Sequence, residues 1–244
     1  MHVLYKELSQ LTKNRLFNLS VICCISLISI KYYKNLIPYD DILRGINDVW
    51  NPKGSGVLYE WSGLLLWVFI SITGYVIIPL IFLLIQPKSN QCELGLRKIA
   101  KSSIPVYLIL AGIMVLIVFA ISFNKEFQQV YPFYKYYDGG RFWNEGFIWE
   151  MAYVLQFFAL EFFFRGFLIH QSAPILGINS IFFSMIPYCM IHFQKPLPEC
   201  VGSIFAGFIL GWLSYKTKSI WGGVFLHVTV ALSMDIFSCL HQNI

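Results

Sequence analysis

The sequence predicts an all-α protein, a polytopic transmembrane helical bundle of about seven spans, and three observations predict it. Of its 244 residues, 57% are hydrophobic and only 13% charged, against roughly 25% charged in an ordinary soluble domain. Mean hydropathy is +0.62, so there is more apolar surface than one aqueous core buries. That surface is divided into seven runs, 16–33, 61–85, 104–123, 147–169, 175–193, 200–215 and 219–238, each near the ~20 residues that cross a bilayer as a helix. The composition excludes a disordered chain, a disulfide-stapled secreted module and a nucleic-acid binder, because the net charge of +5 comes without a polybasic tract.

Taken in order, the first run follows Lys6, Lys13 and Arg15 in the manner of a signal peptide or signal anchor. Lys31-Tyr-Tyr-Lys34 stands where a small-residue cleavage site would be, so the run reads as a retained first span. The second and third runs carry no charge. The fourth carries Glu150, Glu161 and Arg165, the fifth ends in His192, and the seventh carries His227 and Asp235. In the sixth, Ser203, Gly207 and Gly211 recur at four-residue spacing, the pattern of close helix packing.

Between the runs, loop 86–103 with Lys88, Arg97, Lys98 and Lys101, turn 216–218 with Lys216 and Lys218, and the basic N-terminus fall on one side of a seven-span arrangement. This places the N-terminus in the cytoplasm, although Lys34, Arg44 and Lys53 lie on the opposite side. Loop 124–146, rich in Phe127, Tyr131, Phe133, Tyr134, Tyr136, Tyr137, Phe142 and Trp143, is expected to lie as an aromatic belt at headgroup level rather than to form a substrate groove. The six cysteines (Cys23, Cys24, Cys92, Cys189, Cys200 and Cys239) form no CxxC and are read as small structural hydrophobes. Residues 1–146 thus supply three spans and the aromatic loop, and residues 147–244 the core helices, of one integrated membrane domain.

Ionisable groups inside a bilayer are costly, so those of the last four runs are the candidates for chemistry. Glu161 and Arg165 stand at i and i+4 in the favourable order for an ion pair. Glu150 precedes Glu161 by three turns and shares its face, while Tyr188 and His192 repeat the i, i+4 relation. Counted from the cytoplasmic ends of their runs at 1.5 Å per residue, Glu161 and His227 each lie about 12 Å deep and His192 about 25 Å, less if Pro187 tilts its helix.

At these residues the sequence resembles the CAAX protease and bacteriocin-processing family of intramembrane proteases, marked by EExxxR, FxxxH and HxxxN or HxxxD on successive helices with a glycine-rich helix before the last. The matching segments are Leu160-Glu161-Phe-Phe-Phe-Arg165, Tyr188-Cys-Met-Ile-His192 and His227-Val-Thr-Val-Ala231, with Phe205-Ala-Gly-Phe-Ile-Leu-Gly211 as the glycine-rich helix. Order and spacing agree over about residues 147–238. The sequence departs from the family at Leu160, where the family has the glutamate taken to activate water, and at Ala231, its final Asn or Asp; Asp235 lies one turn beyond.

The resemblance implies an intramembrane endopeptidase. Hydrolysis within a membrane needs a base for water, a donor set for the oxyanion and a wet cavity. Glu161 fits the base, His192 a residue that orients water or protonates the leaving amine, and His227 the oxyanion donor, with Arg165, Asp235, Glu150 and Tyr188 in support. No cofactor is expected; zinc on Glu161, His192 and His227 is the alternative, disfavoured because no HExxH sets two ligands on one turn. The expected partners are membrane lipid and a membrane-associated or lipidated peptide or protein, and the expected location is the cytoplasmic membrane of a bacterium. Two other readings stay open: an inactive scaffold of the same fold serving bacteriocin immunity or membrane-protein interaction, and a transporter, although no repeated halves or broken helices are apparent.

Overall fold

The computed structural model describes residues 14–50, 56–86, 93–134 and 146–242. Among them the chain is a helical bundle without strands. In chain order it forms α1 (Arg15–Leu36), α2 (Tyr39–Trp50), α3 (Gly56–Ile72), α4 (Ile78–Ile85), α5 (Ile104–Ile121), α6 (Lys125–Val130), α7 (Phe147–Glu161), α8 (Ile169–Leu176), α9 (Ser180–Met190), α10 (Leu197–Thr217) and α11 (Trp221–Gln242). Two π-helical segments interrupt α-geometry without breaking the helices, Thr73–Ile77 between α3 and α4 and Phe162–Leu168 between α7 and α8.

Among the described residues, six stretches are long and apolar enough to cross a bilayer: Arg15–Leu36, Ser62–Ile85, Lys101–Ile121, Phe147–Met190, Leu197–Thr217 and Trp221–Gln242. The difference from seven lies in the fourth and fifth runs. Helix does not stop at residue 169 but runs to Leu176, and Gly177, at φ 54° where a side chain would be strained, turns the chain into α9. With 11 residues, α9 is only about 16 Å long, half a hydrocarbon core.

The chain divides into two compact units, each assembled from three segments. The first comprises Met1–Lys31, Thr73–Lys98 and Leu160–Ile220. Here α9 packs on α8 and α10, and the small-residue face of α10 allows it. A Cβ on Gly207 would come within 2.8 Å of Met185, and one on Gly211 within 3.0 Å of Ile181. Of the six stretches among the described residues, the rod that carries Glu161 is the most enclosed, 72% of its apolar segment being buried against 17–39% in the other five.

The second unit comprises Tyr32–Ile72, Ile99–Ala159 and Trp221–Ile244. Its α11 lies along α5, where the absent side chain of Gly222 leaves room for the Tyr107 ring. The core is aromatic. Trp67 stacks on Phe133, Phe133 on Trp149 and Tyr153, Tyr153 packs on Phe157, and Phe157 stacks on His227, with centroid separations of 4.6–5.9 Å. Such contacts contribute about 0.5–1.5 kcal/mol each beyond their burial.

This core corrects the expectation of a headgroup belt for the segment after residue 124. Phe127, Tyr131 and Tyr134 are buried, and Phe133 is a rung of the stack. The segment turns inward because its backbone has partners there. Asp235 Oδ1 accepts from the Phe133 N–H at 3.1 Å, Ser238 Oγ donates to the Tyr131 carbonyl, and Gln242 Nε2 donates to the carbonyls of Gln128 and Tyr131 at 2.9 and 2.7 Å. Lys6, Lys13, Lys53, Lys88, Cys92, Tyr136, Tyr137, Phe142 and Trp143 lie outside the described residues. The remaining five cysteines are free thiols.

Candidate active site

Glu161 is the last residue of α7, and the seven residues that follow it, Phe-Phe-Phe-Arg-Gly-Phe-Leu, are all buried and π-helical. In a π segment each carbonyl accepts from the N–H five residues on rather than four, and its second lone pair can take a further donor. Two of them find hydroxyls on neighbouring helices. Ser184 Oγ of α9 donates to the Phe164 carbonyl at 2.7 Å, and Ser214 Oγ of α10 donates to the Arg165 carbonyl at 3.2 Å. Gly166 completes the fit, since a Cβ there would lie 2.7 Å from the Leu94 carbonyl oxygen.

Two of the three phenylalanines hold this segment in place. Phe163 and Phe164 pack against Tyr75, from the other π segment, at 5.3 and 5.8 Å, and Phe164 meets Tyr188 edge-on at 5.3 Å. Between them emerges Arg165, 1% exposed, its Nη1 3.1 Å from Oε1 of the fully buried Glu161. The guanidinium lies over the Tyr188 ring at 3.8 Å. Desolvating two charges costs several kcal/mol per ion; the pair's own attraction and a desolvated cation–π contact of about 2 kcal/mol offset it.

Tyr188 links the pair to His192. The two rings are 4.8 Å apart, and His192 Nδ1 is 2.8 Å from the Tyr188 carbonyl oxygen. A carbonyl only accepts, so Nδ1 carries the proton and Nε2 holds the lone pair of the neutral ring. His192 stands in the turn after α9 and is half-buried, as a group that exchanges protons with water must be. Nearby, Lys195 and Glu199 form a 3.8 Å ion pair, and Lys31 donates to Gln194.

The first unit therefore joins Glu161, Arg165, Tyr188 and His192 through direct contacts. His227, Asp235 and Glu150 belong to the second unit. His227 stacks on Phe157 at 5.6 Å and 10°, which fixes its ring plane. Asp235 is buried and binds the Phe133 backbone. Ala231 packs in the cluster with Val68, Trp149 and Tyr153, so its position is apolar for a packing reason. Leu160 is buried as well.

Sequence reasoning missed several residues. Ser184 and Ser214, which donate to two carbonyls of the π segment, look like any intramembrane serine. His170, whose Nε2 lies 3.2 Å from Ser214 Oγ, was hidden by the assumed helix end at 169. On α7, Gln156 Oε1 and Trp149 Nε1 are buried and have no hydrogen-bond partner among the described residues; Gln156 was detectable as a polar residue in an apolar run. Among the described residues, no three His, Cys, Asp or Glu side chains gather as metal ligands.

No curated protein and no solved structure matches the chain. Residues 142–233 match the family model described as Rce1-like, type II CAAX prenyl endopeptidase Rce1-like. The match spans Glu161, Arg165, Tyr188, His192, His227 and Ala231, and stops before Asp235. The helical stretches that fit a bilayer and this match together support an integral membrane protein whose residues 142–233 are similar to the Rce1-like CAAX endopeptidases.

Proposed function

We propose that the protein is an intramembrane endopeptidase of CAAX-protease type, hydrolysing a peptide bond near the terminus of a membrane-associated or lipidated protein. The observation that carries this reading is the buried sequence of contacts Glu161–Arg165–Tyr188–His192. Arg165 holds Oε1 of Glu161, and Oε2 is the oxygen that takes the proton from water. The water oxygen attacks the carbonyl carbon, and collapse of the oxyanion breaks the C–N bond as the proton taken by Glu161 passes through His192 to the departing amine. Comparison of the termini of membrane-associated proteins in cells with and without the gene tests it directly. The expected result is a set of shortened termini present only with the gene; identical termini would overturn the reading.

The histidines are expected to differ. His227→Asn should keep part of the activity, because an amide still donates a hydrogen bond, whereas His192→Asn should keep almost none. Equal loss in both, with recovery on adding zinc after chelation, would instead make them metal ligands with Glu161. Wild-type rates in both would favour the scaffold reading, which draws on Leu160 and on Ala231 being packed in the aromatic core.

A further inference from the structure

About 13 Å along the rod from Glu161, the first unit has a cleft of 350 Å³ lined by Glu93, His170, Ala173, Pro174, Tyr215 and Lys218. None of these residues takes part in the hydrolysis proposed above. The cleft is built rather than accidental. The strand-like pairing of Leu96 with Ser219 and the 2.7 Å bond from Ile220 N to the Gly95 carbonyl pin the loop bearing Glu93 to the turn bearing Lys218. His170 closes one side, 3% exposed. The Ser214 hydroxyl hydrogen is given to the Arg165 carbonyl, so Ser214 Oγ accepts from His170 Nε2–H, and Nδ1 is the acceptor nitrogen of the neutral ring.

Lys218 is the outlier. It ends α10 at φ 56°, a left-handed conformation that helix termini normally give to glycine. Its ammonium is 4.8 Å from the centre of the Tyr215 ring, and no carboxylate among the described residues forms an ion pair with it. A lysine where glycine is sterically preferred, beside a cleft and with no carboxylate ion-paired to it among the described residues, points to an anion from outside the chain. The other polar groups of the lining are the imidazole of His170, the carboxylate of Glu93, which is paired with Arg97, and the Tyr215 hydroxyl, which can donate or accept. The apolar wall is Ala173 and Pro174, and Ile175 and Ile178, both 51% exposed, continue it along the chain.

We propose that this cleft binds a lipid headgroup that joins a phosphodiester to an amine, with Lys218 on the phosphate and Glu93 and His170 on the N–H donors. One cation, two acceptors and the Tyr215 hydroxyl, which can serve either end, match such a zwitterion better than a simple anion, and the apolar wall suits the acyl chains. A cleft of this size is in the range of small-ligand sites. The attraction of a basic residue for a membrane phosphate, about 1 kcal/mol near the surface, corresponds to a change in retention of about fivefold.

The test is native mass spectrometry of the purified full-length protein in mixed micelles, with phosphatidylethanolamine and phosphatidylcholine as probes. The two lipids share the phosphate and differ in N–H donors. The informative variant is Lys218→Gly, which removes the cation and relieves the left-handed backbone, so its melting temperature should be equal to or above wild type. We expect wild type to retain phosphatidylethanolamine over phosphatidylcholine, Lys218→Gly to retain it about fivefold less, and Lys98→Ala, outside the cleft, to behave as wild type. Unchanged retention in Lys218→Gly, or an equal loss in Lys98→Ala, would overturn the site. Equal retention of the two lipids would overturn the acceptor roles of Glu93 and His170. Displacement of the lipid by millimolar inorganic phosphate would assign the cleft to soluble phosphate and overturn the lipid assignment.

Discussion

Glu161→Gln is expected to lower processing by about 100-fold to 10,000-fold, the range for loss of a general base, while leaving the protein inserted and folded. The substitution keeps the shape of the side chain. Its amide oxygen still accepts from Arg165 Nη1, now 3.1 Å from Oε1, and the guanidinium keeps its place over Tyr188. What disappears is an oxygen basic enough to take a proton from water. The measurement is the abundance of gene-dependent termini in cells carrying the variant at wild-type protein level. Normal processing would make Glu161 only the partner of Arg165, and Glu150 would be the next base to examine.

Arg165→Met should produce the largest stability effect of any single substitution proposed here. It leaves Glu161, wholly buried, without its cation, and removing one member of a buried pair costs about 3–5 kcal/mol. That is a large fraction of the about 5–15 kcal/mol by which proteins are typically stable. Glu161→Gln combined with Arg165→Met replaces the pair by two neutral side chains of similar size, so the double variant should melt above Arg165→Met alone. Arg165→Lys should rescue poorly, because an ammonium lacks the flat face that lies on Tyr188. Thermal unfolding of the three variants in one detergent checks this. Melting of Arg165→Met at the wild-type temperature would mean that the pair contributes nothing to stability.

The parts of the candidate site written in regular spacing were legible. Glu161 with Arg165, and Tyr188 with His192, are i, i+4 pairs, and the structure joins both. The bundle was equally legible, because apolar runs of bilayer length have few other solutions. The end of the fourth span was not. Ile169-His170-Gln171-Ser172 reads as a polar exit from the membrane, yet all four residues are buried, with Ser214, Arg15 and the Leu168 carbonyl satisfying their polar groups. Those partners are distant in sequence or supplied by the backbone, and a linear hydropathy pattern contains neither. The inward turn of Tyr131 and Phe133 was hidden for the same reason, since it depends on Asp235, Ser238 and Gln242, which are about a hundred residues away.

The π segment also makes the tripled phenylalanine a measure of length as well as a source of apolar surface. A π turn holds roughly one residue more than an α turn, so deletion of any one of Phe162, Phe163 or Phe164 would leave a sequence that still reads as glutamate, phenylalanines and arginine. Its hydropathy would hardly change. Yet the wide turn would close into ordinary α-helix, because the residue removed is the one that widened it. Arg165 would fall at i+3 from Glu161 and keep its ion pair. The Phe164 and Arg165 carbonyls would return to α-helical partners, and the wide turn that Ser184 and Ser214 now bond to would be gone. The count of residues between the glutamate and the arginine therefore sets the width of one turn, and it is that turn, more than the pairing of the charges, that a single-residue deletion would remove.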